Sequence, residues 1–160
     1  MVIRPASGDD ATAIARIIVP TIRAGETYTL PRDISEADAL AYWYAPAHEV
    51  YVAEDDGDVV GSYYLRVNQR GGGAHVANCG YMTAPAEMGR GVAAAMCEHS
   101  LERARARGFR AMQFNFVVAS NERAIRLWQR FEFVVVGRLP AAFEHPRLGF
   151  VDALVMYRSL

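Results

Sequence analysis

Between Thr83 and Val92 the chain passes from a strand pattern into a helix pattern through Ala84-Pro85-Ala86-Glu87-Met88-Gly89-Arg90-Gly91. This junction constrains the fold more than any other segment. The first N–H groups of a helix have no partner within it, and the positive end of the helix dipole lies behind them. Glycines let the backbone close on whatever sits there, so the turn suits an anion. The same residues also make an ordinary strand-to-helix turn, and they satisfy the dinucleotide fingerprint G-x-G-x-x-A at Gly89, Gly91 and Ala94. That fingerprint requires a carboxylate at the end of the next strand for a ribose hydroxyl, and it opens a βαβ unit. Here the next strand pattern, Ala111–Val118, holds no carboxylate, and strands of hairpin spacing precede the turn. The dinucleotide reading fails on both points.

The rest of the chain arranges itself around this junction. Val2–Ala6 reads as a strand and is followed by a helix with Ile14, Ile17, Ile18 and Ile22 on one face, capped by Ser7 or Asp9. Pro20 lacks the N–H of the helical ladder and is expected to kink or end that helix. Gly25–Pro31 reads as a loop and Ser35–Tyr44 as a short helix. Val50–Glu54 and Val59–Asn68 form a hairpin about Asp55-Asp56-Gly57-Asp58, and His75–Thr83 is a further strand. Val92–Arg107 is helical and stops at Gly108; Ala111–Val118 is a strand and Glu122–Arg130 a helix. Val134–Arg138 and Asp152–Arg158 close the sheet, with Pro140–Gly149 as a loop between them. The order β-α-α-β-β-β-α-β-α-β-β predicts a mixed α+β layer architecture, one sheet of about seven strands with helices on both faces.

Composition narrows the function classes. A chain of 160 residues with 52% hydrophobic and 22% charged residues suits one folded domain, residues 1–160. A formal net charge of −1 gives no bulk attraction to nucleic acid or acidic membranes, although arginines concentrate between Arg90 and Arg130. That local excess suits a phosphate-bearing small ligand or the solvated faces of two helices. Cys79 and Cys97 show no metal-ligand spacing, so no metal is expected. The N-terminus has no secretory pattern and no stretch is apolar enough to span a bilayer, so a cytoplasmic location is the expectation.

A second motif decides among these classes: Asn121-Glu122-Arg123-Ala124-Ile125-Arg126-Leu127-Trp128-Gln129-Arg130-Phe131-Glu132-Phe133. With the glycine turn, it resembles the GNAT superfamily of acyl-CoA N-acyltransferases, which pairs a Q/R-x-x-G-x-G/A turn with a later N-x-x-A-x-x-L-Y-x-x-x-G-F helix. The resemblance extends over the whole chain in element order. It implies acetyl-CoA as cosubstrate, with backbone groups of Met82 and Thr83 on the pantetheine amides. It also implies that backbone amides of Met88, Gly89, Arg90, Gly91, Val92 and Ala93 hold the pyrophosphate, and that Asn121 bonds the pantetheine arm while capping its helix. Three positions depart from the pattern. Met88 stands at the Arg/Gln position, Glu132 replaces the glycine before Phe133 as a local turn variation, and Trp128 replaces a tyrosine that protonates the leaving thiolate in many relatives. An indole N–H only donates a hydrogen bond, so Trp128 reads as core packing or a wall beside the cofactor.

Asn78 and Asn115 carry the expectation for the acceptor. Alternation puts Asn78 opposite Ala77, Cys79 and Tyr81, and Asn115 opposite Phe114 and Phe116. If neighbouring strands align the two amides, they make a neutral polar cradle for a carboxylate or carbonyl. Ala77-Asn78-Cys79-Gly80-Tyr81 and Phe114-Asn115-Phe116-Val117 resemble segments of the GNAT branch that acetylates azetidine-2-carboxylate and other proline analogues, where such asparagines engage the substrate carboxyl group. The loop Pro140–Gly149 is similar to that of phosphinothricin-type acetyltransferases. It and the loop Glu26–Leu30 are expected to border the acceptor, with His145 and Arg147 able to meet an anion. By residue type, Glu26, Glu54, His75 and Tyr81 are candidate bases, and Cys79 a ping-pong nucleophile without an evident activating partner. The resemblance thus implies an N-acetyltransferase acting by direct attack of a small amino-acid-like amine. A turnover-free acyl-CoA sensor and a protein or peptide acetyltransferase remain as alternatives, and a homodimer is a further possible partner state.

Overall fold

Seven strands make one sheet in the order β1-β2-β3-β4-β5-β7-β6 in the computed structural model, which describes residues 1–160. The strands are β1 (Val2–Pro5), β2 (Glu49–Asp55), β3 (Asp58–Val67), β4 (Val76–Thr83), β5 (Ala111–Val118), β6 (Val134–His145) and β7 (Gly149–Ser159). The helices are α1 (Ala11–Ala24), α2 (Glu36–Trp43), α3 (Val92–Ala106) and α4 (Glu122–Arg130). Every neighbouring pair is antiparallel except β4 and β5, which run parallel and are joined by α3 as their crossover. The expected α+β sheet with helices on both faces is therefore present.

Alternation along the strands sorts two cores. Tyr51, Tyr63, Leu65, Ala77, Met112 and Phe114 face α3 and α4, while Val52, Tyr64 and Met82 face α1 and α2. Ile14, Ile18 and Ile22 of α1 are fully buried there, each contributing roughly 1.5–3 kcal/mol of transfer free energy. The buried Trp43 indole N–H donates to Ser62 Oγ at 2.8 Å, and Ser62 in turn donates to the Tyr51 carbonyl at 2.8 Å, so α2 is fastened to the sheet without an orphaned polar group. Helices α1 and α2 thus pack on β2, β3 and β4.

Three expectations require correction. Of the two outcomes expected at Pro20, a kink or an end, the end is excluded: helix α1 continues to Ala24, because its apolar face runs on to Ile22 and the loss of one ladder bond is outweighed by that burial. The segment 140–149 is not a loop: β6 and β7 pair as one long hairpin from Val134↔Tyr157 to His145↔Gly149. Pro140 is absorbed by a register shift between Leu139 and Phe143, where Ala141 adopts φ 48° and its N–H donates to Asp152 Oδ1 at 2.9 Å. Phe116 does not share the face of Phe114. A bulge between Phe114 and Val117 turns Asn115 and Phe116 to the same side, and Phe116 packs near Phe143 at 6.2 Å.

Glu132, where the motif has glycine, takes φ 61°. The departure at this turn thus keeps the left-handed conformation, and Arg158 secures it by donating to the Phe131 carbonyl at 2.7 Å and to Glu132 at 2.8 Å. At the other edge, Arg4 makes a forked pair with the buried carboxylate of Asp10 at 2.8 and 2.9 Å, and the Ser7 N–H adds a third bond at 2.7 Å. Arg4 foremost, then Ser7, hold the Asp10 carboxyl down to about 2 from its ordinary value of 3.8, against the opposing effect of burial. A depressed folded pKa stabilises above the unfolded value and is lost as pH falls through the folded one. Urea unfolding midpoints of the native chain and Asp10→Asn should therefore differ most above pH 4 and converge as pH approaches 2. A difference independent of pH would contradict this role.

Candidate active site

Strands β4 and β5 are partners only at Val76↔Ala111 and Ala77↔Met112; beyond these pairs they diverge. The Val76 carbonyl accepts from Asn68 and the Ala84 N–H donates to Val60, so even-numbered residues of β4 direct their backbone groups to β3. The odd-numbered residues face the other way, as the bond from Arg110 N–H to the His75 carbonyl confirms at the closed end. Cys79, Tyr81 and Thr83 consequently present backbone N–H and C=O groups to a gap with no strand opposite. One of these is taken: the Tyr28 hydroxyl reaches from the loop after α1 and donates to the Tyr81 carbonyl at 3.1 Å. Met82 has its backbone turned to Ser62 of β3.

A cavity of about 670 Å³ occupies the gap and runs to both sides of it. At one end lies the glycine turn. Gly89 and Gly91 have φ of 92° and 88°, conformations open to glycine at little cost, and Gly91 caps α3 without any side-chain bond. The leading N–H groups of α3 therefore remain for a ligand. Met82, Thr83, Met88, Gly89, Gly91, Val92, Ala93 and Asn121 all line the cavity, whereas Arg90 does not. The Arg90 side chain pairs with Glu87 and, at 3.8 Å, with Asp55. This offsets the negative charge of Glu87, which does line the cavity. Asn121 accepts from the Ala124 N–H at 3.3 Å through Oδ1, leaving its Nδ2 to donate. Arg123, which motif reasoning passed over, leans onto the turn: its guanidinium lies 3.4 Å from where a Cβ on Gly89 would stand.

Aromatic rings form the middle of the wall. Trp128 sits 5.0 Å from Tyr81 and 5.0 Å from Phe114, centroid to centroid, and is 8% exposed. It packs the core and also borders the cavity. The Tyr81 hydroxyl is bonded to Ser100 Oγ at 2.7 Å, and burial raises its pKa well above the ordinary tyrosine range. Burial also pushes the Cys79 thiol up to about 12, which leaves no thiolate for a ping-pong route. Of the other candidate bases, Glu54 is bound to Arg4 and His75 is exposed away from the cavity. Glu26 lines the cavity at the end away from the glycine turn and pairs with Arg147 of the β6–β7 turn at 2.7 Å. His145, read as a loop residue, is instead buried at the end of β6.

At that end the two asparagines do share one face. Asn78 is 6% exposed, accepts from Arg66 Nε at 3.1 Å and donates to the Gln113 carbonyl at 2.9 Å. Asn115 accepts from Gln113 Nε2 at 2.9 Å and donates to Asn68 Oδ1 at 2.7 Å. Both amides border the cavity and are joined through Gln113, but each is already engaged at both ends by protein groups. Arg66 was a detectable omission, as the lone cation in an otherwise apolar stretch of β3. Beside it, Tyr64 stacks on His48 with centroids 4.0 Å apart and shares a hydroxyl bond with Tyr42 at 3.1 Å. Its ring fills the space over Gly80, where a Cβ would come within 2.6 Å of it.

Comparison with known proteins agrees with this geometry. The sequence profile described as "Acetyltransferase (GNAT) family" matches residues 19–133. N-acetyltransferase aca1 of Schizosaccharomyces pombe is 26% identical over 151 residues, covering 84% of this chain and 72% of that protein. A GCN5-related N-acetyltransferase from Kribbella flavida is 41% identical and superposes with a TM-score of 0.91, covering 99% of this chain and 97% of that one. A phosphinothricin acetyltransferase from Sinorhizobium meliloti, solved in complex with acetyl-CoA, shares the fold with a TM-score of 0.86 at 22% identity, over 99% of this chain and 88% of the other. A glycine turn feeding α3, an asparagine-capped α4 and a gap between two parallel strands thus coincide with a match across most of the sequence, and the chain belongs to the acetyltransferase (GNAT) family as an acetyl-CoA-dependent N-acetyltransferase.

Proposed function

We propose that the chain transfers the acetyl group of acetyl-CoA to the amine of a small amino-acid-like acceptor by direct attack. The observation that carries this reading is the single cavity that joins the glycine turn to a polar pocket beneath α1, α2 and the loop Glu26–Thr29. Backbone N–H groups of Gly89, Gly91, Val92 and Ala93 and the Arg123 guanidinium hold the pyrophosphate, whereas the N–H groups of Met88 and Arg90, expected to share in this, donate to the Pro85 and Glu87 carbonyls at 3.4 and 3.3 Å. The Thr83 backbone and Asn121 Nδ2 hold the pantetheine arm, and Met82 contributes its side chain to the wall. The Tyr81 N–H is the donor placed to stabilise an oxyanion, while the Tyr28 hydroxyl holds the carbonyl of the same residue, in the following peptide.

The acceptor enters from the Glu26 side as a neutral amine. Its nitrogen bonds to the thioester carbon, the resulting tetrahedral oxyanion collapses, the C–S bond breaks and the ammonium proton leaves toward solvent past Glu26. The departing thiolate takes a proton from water, since Trp128 has none to give and the Tyr81 hydroxyl is held on Ser100. Asn78 and Asn115 act by positioning Arg66, Gln113 and Asn68 rather than as free donors. The pairing of Glu26 with Arg147 spans the loop and the β6–β7 turn at the acceptor end, which favours a small molecule over an extended peptide.

Two measurements test this reading. Gly89→Val forces a β-branched residue into φ 92° and crowds Arg123. At a strain of about 1–3 kcal/mol, the KM for acetyl-CoA should rise roughly tenfold or more. An unchanged KM would remove the turn from the cofactor site. Cys79→Ala should keep most of its turnover, and intact-mass spectra of the native enzyme mixed with acetyl-CoA alone should show no acetylated protein. An acetyl group on Cys79 would overturn direct attack.

A further inference from the structure

Arg66 is placed in the acceptor end of the cavity as a cation without an anion. Arg4, Arg90, Arg103, Arg107, Arg138 and Arg158 each lie within ion-pair distance of a carboxylate, and no carboxylate lies within 4.0 Å of Arg66. The one carboxylate on the acceptor wall, Glu26, is committed to Arg147. Arg66 is nevertheless half-buried and held in place: its Nε donates to Asn78 Oδ1 at 3.1 Å, and the 6% exposed Asn78 is tied to the Gln113 carbonyl at 2.9 Å. The bond at Nε leaves the two terminal nitrogens of the guanidinium without a protein partner. A partly desolvated guanidinium fixed at one edge, with its outer nitrogens free, is shaped for two oxygens of one planar anion.

The geometry points to Arg66 as the anchor for the carboxylate of a small free amino acid whose amine is the acetyl acceptor. This inference rests on the cavity being the acceptor site and extends it by naming the second functional group of the acceptor. Phosphate is accounted for elsewhere, because the cofactor's charges fall at the glycine turn and Arg123. A carboxylate on Arg66 neutralises this half-buried charge. A polyamine or a purely cationic amine meets like charge there and is rejected. Asn78 then serves as a positioning residue that keeps the guanidinium turned to the cavity.

The test uses the full chain and acceptors in matched pairs, amino acids against their own amides (glycine, proline and methionine with glycinamide, prolinamide and methioninamide). CoA release is followed with a thiol reagent. The amide's amine is less basic, so more of it is neutral near pH 7.5, and a preference for the acid therefore reports recognition rather than nucleophilicity. The native enzyme should favour at least one acid over its amide by about 100-fold in kcat/KM. Arg66→Gln should erase that ratio by lowering the rate with the acid, leaving the rate with the amide and the KM for acetyl-CoA within a few-fold. Arg66→Lys should restore part of the ratio, and Asn78→Ala should reduce it while Arg66 is still present. Equal loss with acid and amide in Arg66→Gln, or a native preference for the amides, would overturn the inference while leaving acetyl transfer to small amines intact. No CoA release with any acid, amide or simple amine, despite acetyl-CoA binding, would overturn the small-acceptor reading together with the inference.

Discussion

The divergence of β4 and β5 is the feature on which the rest of the molecule depends. Two parallel pairings hold the strands together at Val76 and Ala77, and everything past them is backbone with polar groups and no neighbour. Buried N–H and C=O groups left that way are costly, so the gap is stable only if a side chain, water or ligand satisfies them. Tyr28 satisfies one carbonyl. The others lie along a channel whose far end is a helix N-terminus, and an extended molecule with amides in its middle and phosphates at one end matches that sequence of needs. The rest of the fold keeps the gap open: α1 and α2 brace β4 on one face, α3 and α4 brace it on the other, and the bulge in β5 turns Asn115 and Phe116 together toward the opening.

Charge is divided along this channel with little overlap. Near the turn, Arg90 is spent on Glu87 and Asp55, so the field there comes from the α3 dipole and Arg123. At the other end, Glu26 and Arg147 cancel one another, and Arg66 has no carboxylate within ion-pair distance. Between them the wall is aromatic, with Tyr81, Phe114 and Trp128 in mutual contact. The burial that keeps the Cys79 thiol and the Tyr81 hydroxyl protonated also lowers the local dielectric, which strengthens any donor aimed at a developing oxyanion. The chemistry assigned to the site is thus carried by placement and polarity, with no activated nucleophile of the protein's own.

What was legible in the sequence was what short-range chemistry dictates. Gly89 and Gly91 occupy positive φ, Asn121 caps α4, and Glu132 takes the left-handed turn of the motif's glycine, all of them requirements of a few consecutive residues. Element order followed for the same reason. What was not legible arose from contacts distant in sequence or from breaks in alternation. The bulge at Asn115 and Phe116 defeats a period of two, and the register shift that absorbs Pro140 depends on Asp152, eleven residues from Ala141. Asn78 and Asn115 share one face, which the sequence left conditional on strand alignment, and their partners were invisible. Nothing within either segment shows that Arg66, Gln113 and Asn68 already occupy their amides.

The account's central claim is that the unpaired backbone of β4 receives the cofactor. Titration of isotopically labelled protein with acetyl-CoA, followed through backbone amide resonances, examines it directly. The claim predicts the largest shifts at Tyr81, Thr83, Gly89, Gly91, Val92 and Ala93, with Met82 and Arg90 shifting less because their N–H groups are bonded to β3 and to the Glu87 carbonyl. Shifts concentrated on another surface, with these amides unmoved at saturation, would contradict it.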